Sequence, residues 1–166
     1  LDITNKSHIF NYVSDNQIEL IINCAAYTDV NGSESNKKLA IKVNSESIKN
    51  LVEICEEQKI KMIHFSTDYV YNSNNINPIK EDSNINPINY YGFSKREGEK
   101  IIEKSLSDSI IIRTSWLYSM YGSNFVKTMI KKGDIDEKIY VINDQFGCPT
   151  YAKDLVNVIL RIVDSG

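Results

Sequence analysis

The chain has 166 residues, of which 42% are hydrophobic and 25% charged, and this suits one globular domain with a hydrophobic core. Its formal net charge of −3 without a basic run argues against a dedicated nucleic-acid-binding protein, and no apolar run approaches the roughly 20 residues of a membrane helix. Three scattered cysteines with no Cys-x-x-Cys pair, and no visible signal peptide, favour a reduced cytoplasmic protein with no metal site, no membrane partner and no nucleic-acid partner.

Apolar periodicity predicts an alternation of helices and strands along the chain. The predicted elements, in chain order, are a helix at about 5–14, a strand at 18–24, a helix at 33–58, a strand at 61–65, a helix at 91–105, a strand at 109–114, a helix at 124–132, a strand at 138–143 and a helix at 152–163. This alternation is typical of an α/β protein with a parallel, doubly wound, Rossmann-like sheet, and the apolar run at 18–24 indicates a strand buried on both faces.

Polar residues mark several element boundaries. Asp2 or Thr4 is expected to cap the first helix and Ser33 the second.

Asn44 interrupts the apolar stripe of the second helix, and we expect it to brace backbone groups because buried amides are normally hydrogen-bonded. The two histidines, in a predicted helix and a predicted strand, are expected to be structural residues. The residues expected to face inward on the last helix are Leu155, Val158, Ile159 and Ile162.

Two loops invite a functional interpretation. The loop at 25–30 follows a predicted strand, and its two alanines leave room for a ligand to approach the backbone. A tight turn packed under a helix explains those alanines equally well. The polar stretch at 69–89 is rich in Asn, Ser and Pro, and a loop of this length inside a compact domain is usually functional.

Three polar side chains point to a chemical reaction. Thr67 lies at the end of a predicted strand, where open α/β sheets bind ligands, and Tyr91 and Lys95 are spaced to share one helix face. An ammonium one turn away lowers the pKa of a phenol from about 10, so Tyr91 is predicted to protonate a ketone oxygen that Thr67 also holds during hydride attack. Alone, the Tyr-x-x-x-Lys spacing fits chance equally well, because Lys95 and Glu99 also suit an ordinary solvated ion pair.

Longer motifs narrow the interpretation. In chain order they are LDIT at 1–4, AAYT at 25–28, STDYV at 66–70, YGFSK at 91–95, RTSW at 113–116, NFVKTM at 124–129 and DQFGCPTY at 144–151. With these motifs the chain resembles the extended short-chain dehydrogenase/reductases, and within them the dTDP-4-dehydrorhamnose reductases. The resemblance covers nearly the whole chain.

This resemblance implies a reaction and a set of roles. The reaction is the NADPH- or NADH-dependent reduction of the 4-keto group of dTDP-4-dehydro-L-rhamnose to dTDP-L-rhamnose, for surface polysaccharides. Thr67, Tyr91 and Lys95 are the implied catalytic triad. The implied cofactor-binding residues are Asp2, Ile3, Ala25, Ala26, Thr28, Tyr91 and Lys95. The implied substrate-binding residues are Val30, Asp68 and Trp116, with a dTDP-sugar as the partner molecule and a homodimer left open.

The chain also departs from this family. Its seven glycines include no Gly-x-x-Gly-x-x-Gly set at a strand-to-helix turn, the loop that cradles the cofactor pyrophosphate. The chain begins at Leu1. We therefore expect residues 1–166 to be an interior piece, inactive by itself: a Rossmann-like domain incomplete at its N-terminus, with the substrate-binding region starting after about 115.

Two other classes of function stay open. One is a non-catalytic partner of the same fold, like the regulatory β subunit of methionine adenosyltransferase, although an intact triad is not needed for binding alone. The other is a different sugar-nucleotide enzyme, an epimerase or a dehydratase.

Overall fold

The computed structural model describes residues 1–72, 77–106, 108–135 and 138–165, and the chain divides into two units, Leu1–Arg113 and Thr114–Gly166. The helices of the first unit are α1 (Lys6–Asn16), α2 (Val30–Ser35), α3 (Lys37–Ile41), α4 (Ser47–Gln58) and α5 (Tyr90–Ser105), with a π-helical turn at Lys42–Glu46 and a 3-10 turn at Asp68–Val70. Its strands are β1 (Leu20–Asn23), β2 (Lys61–Thr67) and β3 (Ser109–Thr114).

The three strands form one sheet in the order β1-β2-β3. β1 and β2 run parallel, and their register places Asn23 beside His64. Helix α4 supplies much of the hydrophobic core, and both α1 and α5 pack against it. The predicted parallel, Rossmann-like α/β class is confirmed, and the predicted strand 109–114 matches β3.

Several predicted boundaries of the first unit are wrong. Asn5 caps α1 through a bond from the His8 amide, not Asp2 or Thr4, and Asp29 caps α2 through a bond from the Gly32 amide, not Ser33. The predicted strand 18–24 shortens to β1. β1 is not buried on both faces, since burial varies along the strand and Ile22 is 42% exposed.

The predicted helix 33–58 is divided into three helices and a π-helical turn. Asn36 leaves helical geometry at φ −111° and ψ 45°, which separates α2 from α3. The π-helical turn holds Asn44, whose Oδ1 accepts from the Tyr27 amide at 2.8 Å and whose Nδ2 donates to the Tyr27 carbonyl at 3.0 Å and to Ser94 Oγ at 2.9 Å. The predicted bracing role of Asn44 is therefore confirmed.

Replacing Asn44 by alanine should lower the free energy of unfolding by about 2 kcal/mol, because buried polar groups of Tyr27 lose their partner. Urea denaturation measures the change. Asn50→Ala is the matched control, since that side chain makes one long bond of 3.4 Å to the Ile3 carbonyl. Equal losses in the two variants would contradict the bracing role.

The second unit contains α6 (Phe125–Gly133), α7 (Ala152–Asp164) and a parallel pair of two-residue strands, β4 (Leu117–Tyr118) and β5 (Thr150–Tyr151). Asn124 caps α6 through a bond from the Lys127 amide at 3.0 Å. The Tyr118 and Tyr151 rings stack across the strand pair with centroids 5.3 Å apart.

Two predictions for the second unit are wrong. No strand forms at 138–143, where Tyr140 is 91% exposed, because a short apolar run makes a strand only when a partner pairs with it. On α7 the Ile159 side chain is buried as expected, but Val158 is 52% exposed. Only a narrow stripe of α7 is covered within its unit.

The described part of the chain adds three observations. It contains no helix that combines the length and apolar character needed to cross a bilayer. Within it, no group of three or more His, Cys, Asp or Glu side chains is arranged to hold a metal ion. Residues 73–76 of the polar loop at 69–89 lie outside the described residues; Tyr71 and Ile85 form an antiparallel bridge within that loop.

Candidate active site

Thr67 is the last residue of β2 and organises the turn that follows. Its Oγ1 accepts from the Tyr69 amide at 3.2 Å and donates to Asp68 Oδ1 at 3.2 Å. These bonds fix the 3-10 turn at the carboxyl end of the strand, where ligands bind in open α/β sheets. The Thr67 hydroxyl and the Asp68 carboxylate therefore lie side by side.

Helix α5 brings Tyr91 to this turn through a close approach at Gly92. Asn89 caps the helix, because its Oδ1 accepts from the Gly92 amide at 2.8 Å. A Cβ at Gly92 would lie only 2.1 Å from the Tyr69 carbonyl oxygen, so the helix can pack this closely only with glycine at that position. The Tyr69 and Tyr91 rings then meet edge to face, with centroids 5.9 Å apart.

The electrostatics of the Tyr91 phenol correct one prediction. Burial raises the pKa of Tyr91 above its ordinary value, the Thr67 side chain lowers it, and the Asp68 carboxylate raises it further. Thr67, Asp68 and Tyr91 thus form one cluster. The expected lowering of the Tyr91 pKa is wrong for this structure, because desolvation is the largest effect on the phenol and the Lys95 nitrogen is directed to the Phe65 carbonyl and His64.

Lys95 lies one helical turn beyond Tyr91 and is almost fully buried. Its Nζ donates to the Phe65 carbonyl at 2.6 Å and lies 3.3 Å from His64 Nε2. Burial lowers the pKa of the lysine to about 8, and the Glu99 carboxylate partly opposes that change. A solvated Lys95–Glu99 ion pair, the ordinary alternative, is therefore excluded: both side chains are buried and Glu99 pairs with arginines.

Two residues of this region, His64 and Asn23, were not predicted as part of the site. His64 is fully buried beside Lys95, and its Nδ1 lies 3.0 Å from Asn23 Nδ2 on the neighbouring strand. One signal in the sequence pointed to them, since each is a polar residue inside an otherwise apolar strand. Only the strand register shows that they meet.

A second unpredicted feature supports helix α5 one turn beyond Lys95. The buried Glu99 carboxylate accepts from Arg113 Nε at 2.8 Å and Nη2 at 2.9 Å, and from Arg96 at 2.8 Å. The Arg113 guanidinium also donates to the Tyr71 hydroxyl and to the Glu81 carbonyl, so it ties the polar loop to the helix that carries Tyr91.

The residues predicted to contact the cofactor are more scattered. Ile3 and Ala25 line one open, mostly apolar cavity of about 320 Å³ beside β1. Asp2 is exposed and accepts from the Thr4 amide at 2.9 Å, a bond that lowers the pKa of its carboxyl. Ala26 and Thr28 belong to the loop between β1 and α2.

The other two residues predicted to bind substrate differ in position. Val30 is the first residue of α2 and is partly buried. Trp116 belongs to the second unit and has a left-handed backbone at φ 44°, which non-glycine residues adopt uncommonly. Within that unit its indole lies against Gly147, where a Cβ would come within 2.9 Å of the ring.

Comparisons with known proteins show what the chain is similar to. The family model described as "RmlD substrate binding domain" matches residues 1–166. A dTDP-4-dehydrorhamnose reductase from Aggregatibacter actinomycetemcomitans is 38% identical over 99% of this chain and 56% of its own length. A dTDP-4-keto-6-deoxy-D-glucose reductase from Streptomyces niveus is 35% identical over 100% of this chain and 58% of its own length.

A solved structure gives the same result for the fold. The dTDP-4-dehydrorhamnose reductase of Bacillus anthracis strain Ames, in complex with NADP, is 40% identical and superposes with a TM-score of 0.95. The match covers 99% of this chain and 58% of that structure. The chain therefore spans little more than half the length of the proteins that it matches.

Proposed function

The chain belongs to the RmlD substrate-binding-domain family, and from this premise we propose that it carries the catalytic residues of an NADPH- or NADH-dependent reductase of a dTDP-4-keto sugar. The proposed substrate is dTDP-4-dehydro-L-rhamnose and the product dTDP-L-rhamnose. The observation that carries the proposal is the cluster at the end of β2, where Tyr91 meets Thr67 and Asp68 while Lys95 is buried one turn further along α5.

The proposed roles follow from the chemistry of each side chain. The nicotinamide, when bound, supplies a hydride to the carbonyl carbon. Tyr91 donates its phenol proton to the carbonyl oxygen, and Thr67 hydrogen-bonds the same oxygen and orients the ketone. Burial raises the pKa of Tyr91, so the phenol keeps its proton at neutral pH and is a weak acid; its proton transfer depends on the negative charge that develops on the carbonyl oxygen during hydride attack. Asp68, Val30 and Trp116 are proposed to contact the sugar.

The residues present suit the nicotinamide side of such a cofactor. The small side chains of Ala25 and Ala26 follow β1 and leave the backbone accessible, and the open cavity beside β1 is lined mostly by apolar side chains, as ligand pockets usually are. Lys95, with Tyr91, is proposed to hold the nicotinamide ribose. Ala25, Ala26 and Thr28 would lie along the nicotinamide half, and Asp2 and Ile3 near the adenosine half.

Three further parts of the proposal concern the whole protein. The unit Thr114–Gly166 is proposed to begin the substrate-binding region. The protein is proposed to act in the cytoplasm on a dTDP-sugar that feeds polysaccharide synthesis, in line with a relative from Bacillus subtilis that is named as a spore coat polysaccharide biosynthesis protein. A homodimer stays a prediction that light scattering can test.

An assay with product identification tests the proposed function. Since residues 1–166 are expected to be inactive by themselves, the chain is joined to an N-terminal glycine-rich cofactor-binding unit and given NADPH or NADH and a mixture of dTDP-sugars that includes dTDP-4-dehydro-L-rhamnose and dTDP-4-keto-6-deoxy-D-glucose. We expect one equivalent of cofactor to be oxidised for each dTDP-L-rhamnose formed. Sugar conversion without net cofactor oxidation would instead assign an epimerase or dehydratase. No turnover, together with capture of methionine adenosyltransferase, would assign the non-catalytic alternative.

A further inference from the structure

A chain of three buried polar side chains runs from β1 through β2 to α5. Asn23 Nδ2 lies 3.0 Å from His64 Nδ1, and His64 Nε2 lies 3.3 Å from Lys95 Nζ. The exposed fractions are 4% for Asn23, 0% for His64 and 2% for Lys95. Because water cannot compensate a mismatch at such burial, each donor in the chain must face an acceptor.

The Asn23 amide fixes the position of the histidine proton. Its Oδ1 accepts from the Ala25 backbone amide at 3.1 Å, so the amide nitrogen is the atom that faces the ring. An amide nitrogen can only donate, and His64 Nδ1 must therefore accept. A neutral imidazole that accepts at Nδ1 carries its proton on Nε2.

That proton points at Lys95. The lysine nitrogen already donates to the Phe65 carbonyl at 2.6 Å, and an ammonium has donors only, whereas an uncharged amine has a lone pair that can accept from His64 Nε2. We propose that His64, held by Asn23 in the tautomer protonated on Nε2, is a positioning residue that favours the uncharged amine of Lys95. The functional role of Lys95 rests on the proposed function. The contacts among Asn23, His64 and Lys95 do not depend on it.

Burial favours the uncharged form of both His64 and Lys95. Burial lowers the pKa of His64 to about 3, and the Lys95 charge contributes, so the imidazole stays neutral over the physiological range. Burial also lowers the pKa of Lys95 to about 8, against the opposing Glu99 carboxylate of the same helix. The lysine proposed to hold the nicotinamide ribose therefore changes its charge close to neutral pH.

Nuclear magnetic resonance of protein with labelled histidine tests the tautomer directly. The sequence has only two histidines, and His8→Gln identifies the His64 signal. We expect the proton on Nε2 at neutral pH. In Asn23→Asp the new carboxylate keeps the bond from the Ala25 amide but accepts from the ring, so the proton should move to Nδ1. A wild-type proton on Nδ1, or an unchanged tautomer in Asn23→Asp, would overturn the proposal.

The effect on Lys95 is measured by titrating its labelled side-chain carbon. His64→Gln offers an amide oxygen that can accept from an ammonium without adding charge, so the pKa of Lys95 should rise by about one unit or more. His8→Gln, the same substitution at an exposed histidine, should leave it unchanged. Equal titrations in the two variants would overturn the proposal. Neither measurement uses cofactor or substrate, so its outcome is independent of whether the proposed reduction occurs.

Discussion

Replacing Tyr91 by phenylalanine should lower kcat for ketone reduction by roughly 10²–10⁴-fold, the usual contribution of a positioned proton donor. The substitution removes only the hydroxyl that lies beside Thr67 and Asp68. The phenylalanine ring can keep the edge-to-face contact with Tyr69, so the fold should persist. In the chain joined to a glycine-rich cofactor-binding unit, steady-state cofactor oxidation with dTDP-4-dehydro-L-rhamnose gives kcat, and cofactor titration shows whether affinity survives.

Tyr90→Phe is the matched control for this experiment. Tyr90 precedes Tyr91 on α5, but its ring packs against Phe93 and Lys37 instead of the cluster at the end of β2. The same loss of a hydroxyl there should leave kcat within a small factor of the wild-type value. Turnover retained by Tyr91→Phe would remove Tyr91 from the reaction and the proposed mechanism with it.

The parts of the fold that were predicted correctly have strong local signals. The strand at 109–114 contains three consecutive isoleucines, and α5 joins a capping residue, Asn89, to a regular stripe that ends near Ser105. Such patterns hold whatever packs against them. The expected contacts between Tyr91 and the end of β2 follow from the same logic, because the helix period and the strand end set them together.

What could not be predicted depends on partners distant in the sequence. The π-helical turn holds Asn44, whose side chain forms hydrogen bonds with both Tyr27 and Ser94. No local sequence pattern predicts those bonds. The segment 138–143 has a strand-like sequence but forms no strand, since pairing depends on a neighbour and not on the segment.

The pKa shifts of Tyr91 and Lys95 could not be predicted from the sequence for the same reason. The expected effect of Lys95 on the phenol considered only the distance along α5. In the fold, burial dominates the pKa of both side chains, and the lysine nitrogen turns to the Phe65 carbonyl and His64. Burial and strand register are properties of the assembled sheet, so they lie beyond a reading of residue spacing.

Replacing Glu99 by glutamine should lower the free energy of unfolding by about 3–5 kcal/mol, the usual cost of removing one partner from a buried ion pair. The carboxylate is fully buried and accepts from both Arg96 and Arg113, so glutamine would leave two guanidinium groups facing each other without their shared anion. The polar loop should loosen as well, because Arg113 also binds the Glu81 carbonyl. Urea denaturation at neutral pH measures the loss.

The size of this effect should depend on pH. Burial raises the pKa of Glu99, but the hydrogen bonds from Arg113, Ser66 and Arg96 outweigh it and lower the pKa below its ordinary value. A carboxyl with a lowered folded-state pKa contributes stability above its unfolded pKa, and that contribution is lost as the pH falls through the folded-state value. The difference between wild type and Glu99→Gln should therefore be largest at neutral pH and shrink in acid.

Glu103→Gln separates a buried from an exposed partner of the same arginine. Glu103 also pairs with Arg96, but its side chain is 43% exposed, and exposed ion pairs contribute about 0–1 kcal/mol. The two variants make the same chemical change on one helix, four residues apart, so they differ in burial and in the bonds that Glu99 makes to Arg113 and Ser66. If both cost the same small amount, the Glu99 carboxylate does not hold α5 against β3 and the polar loop, and this support for the helix that carries Tyr91 is lost.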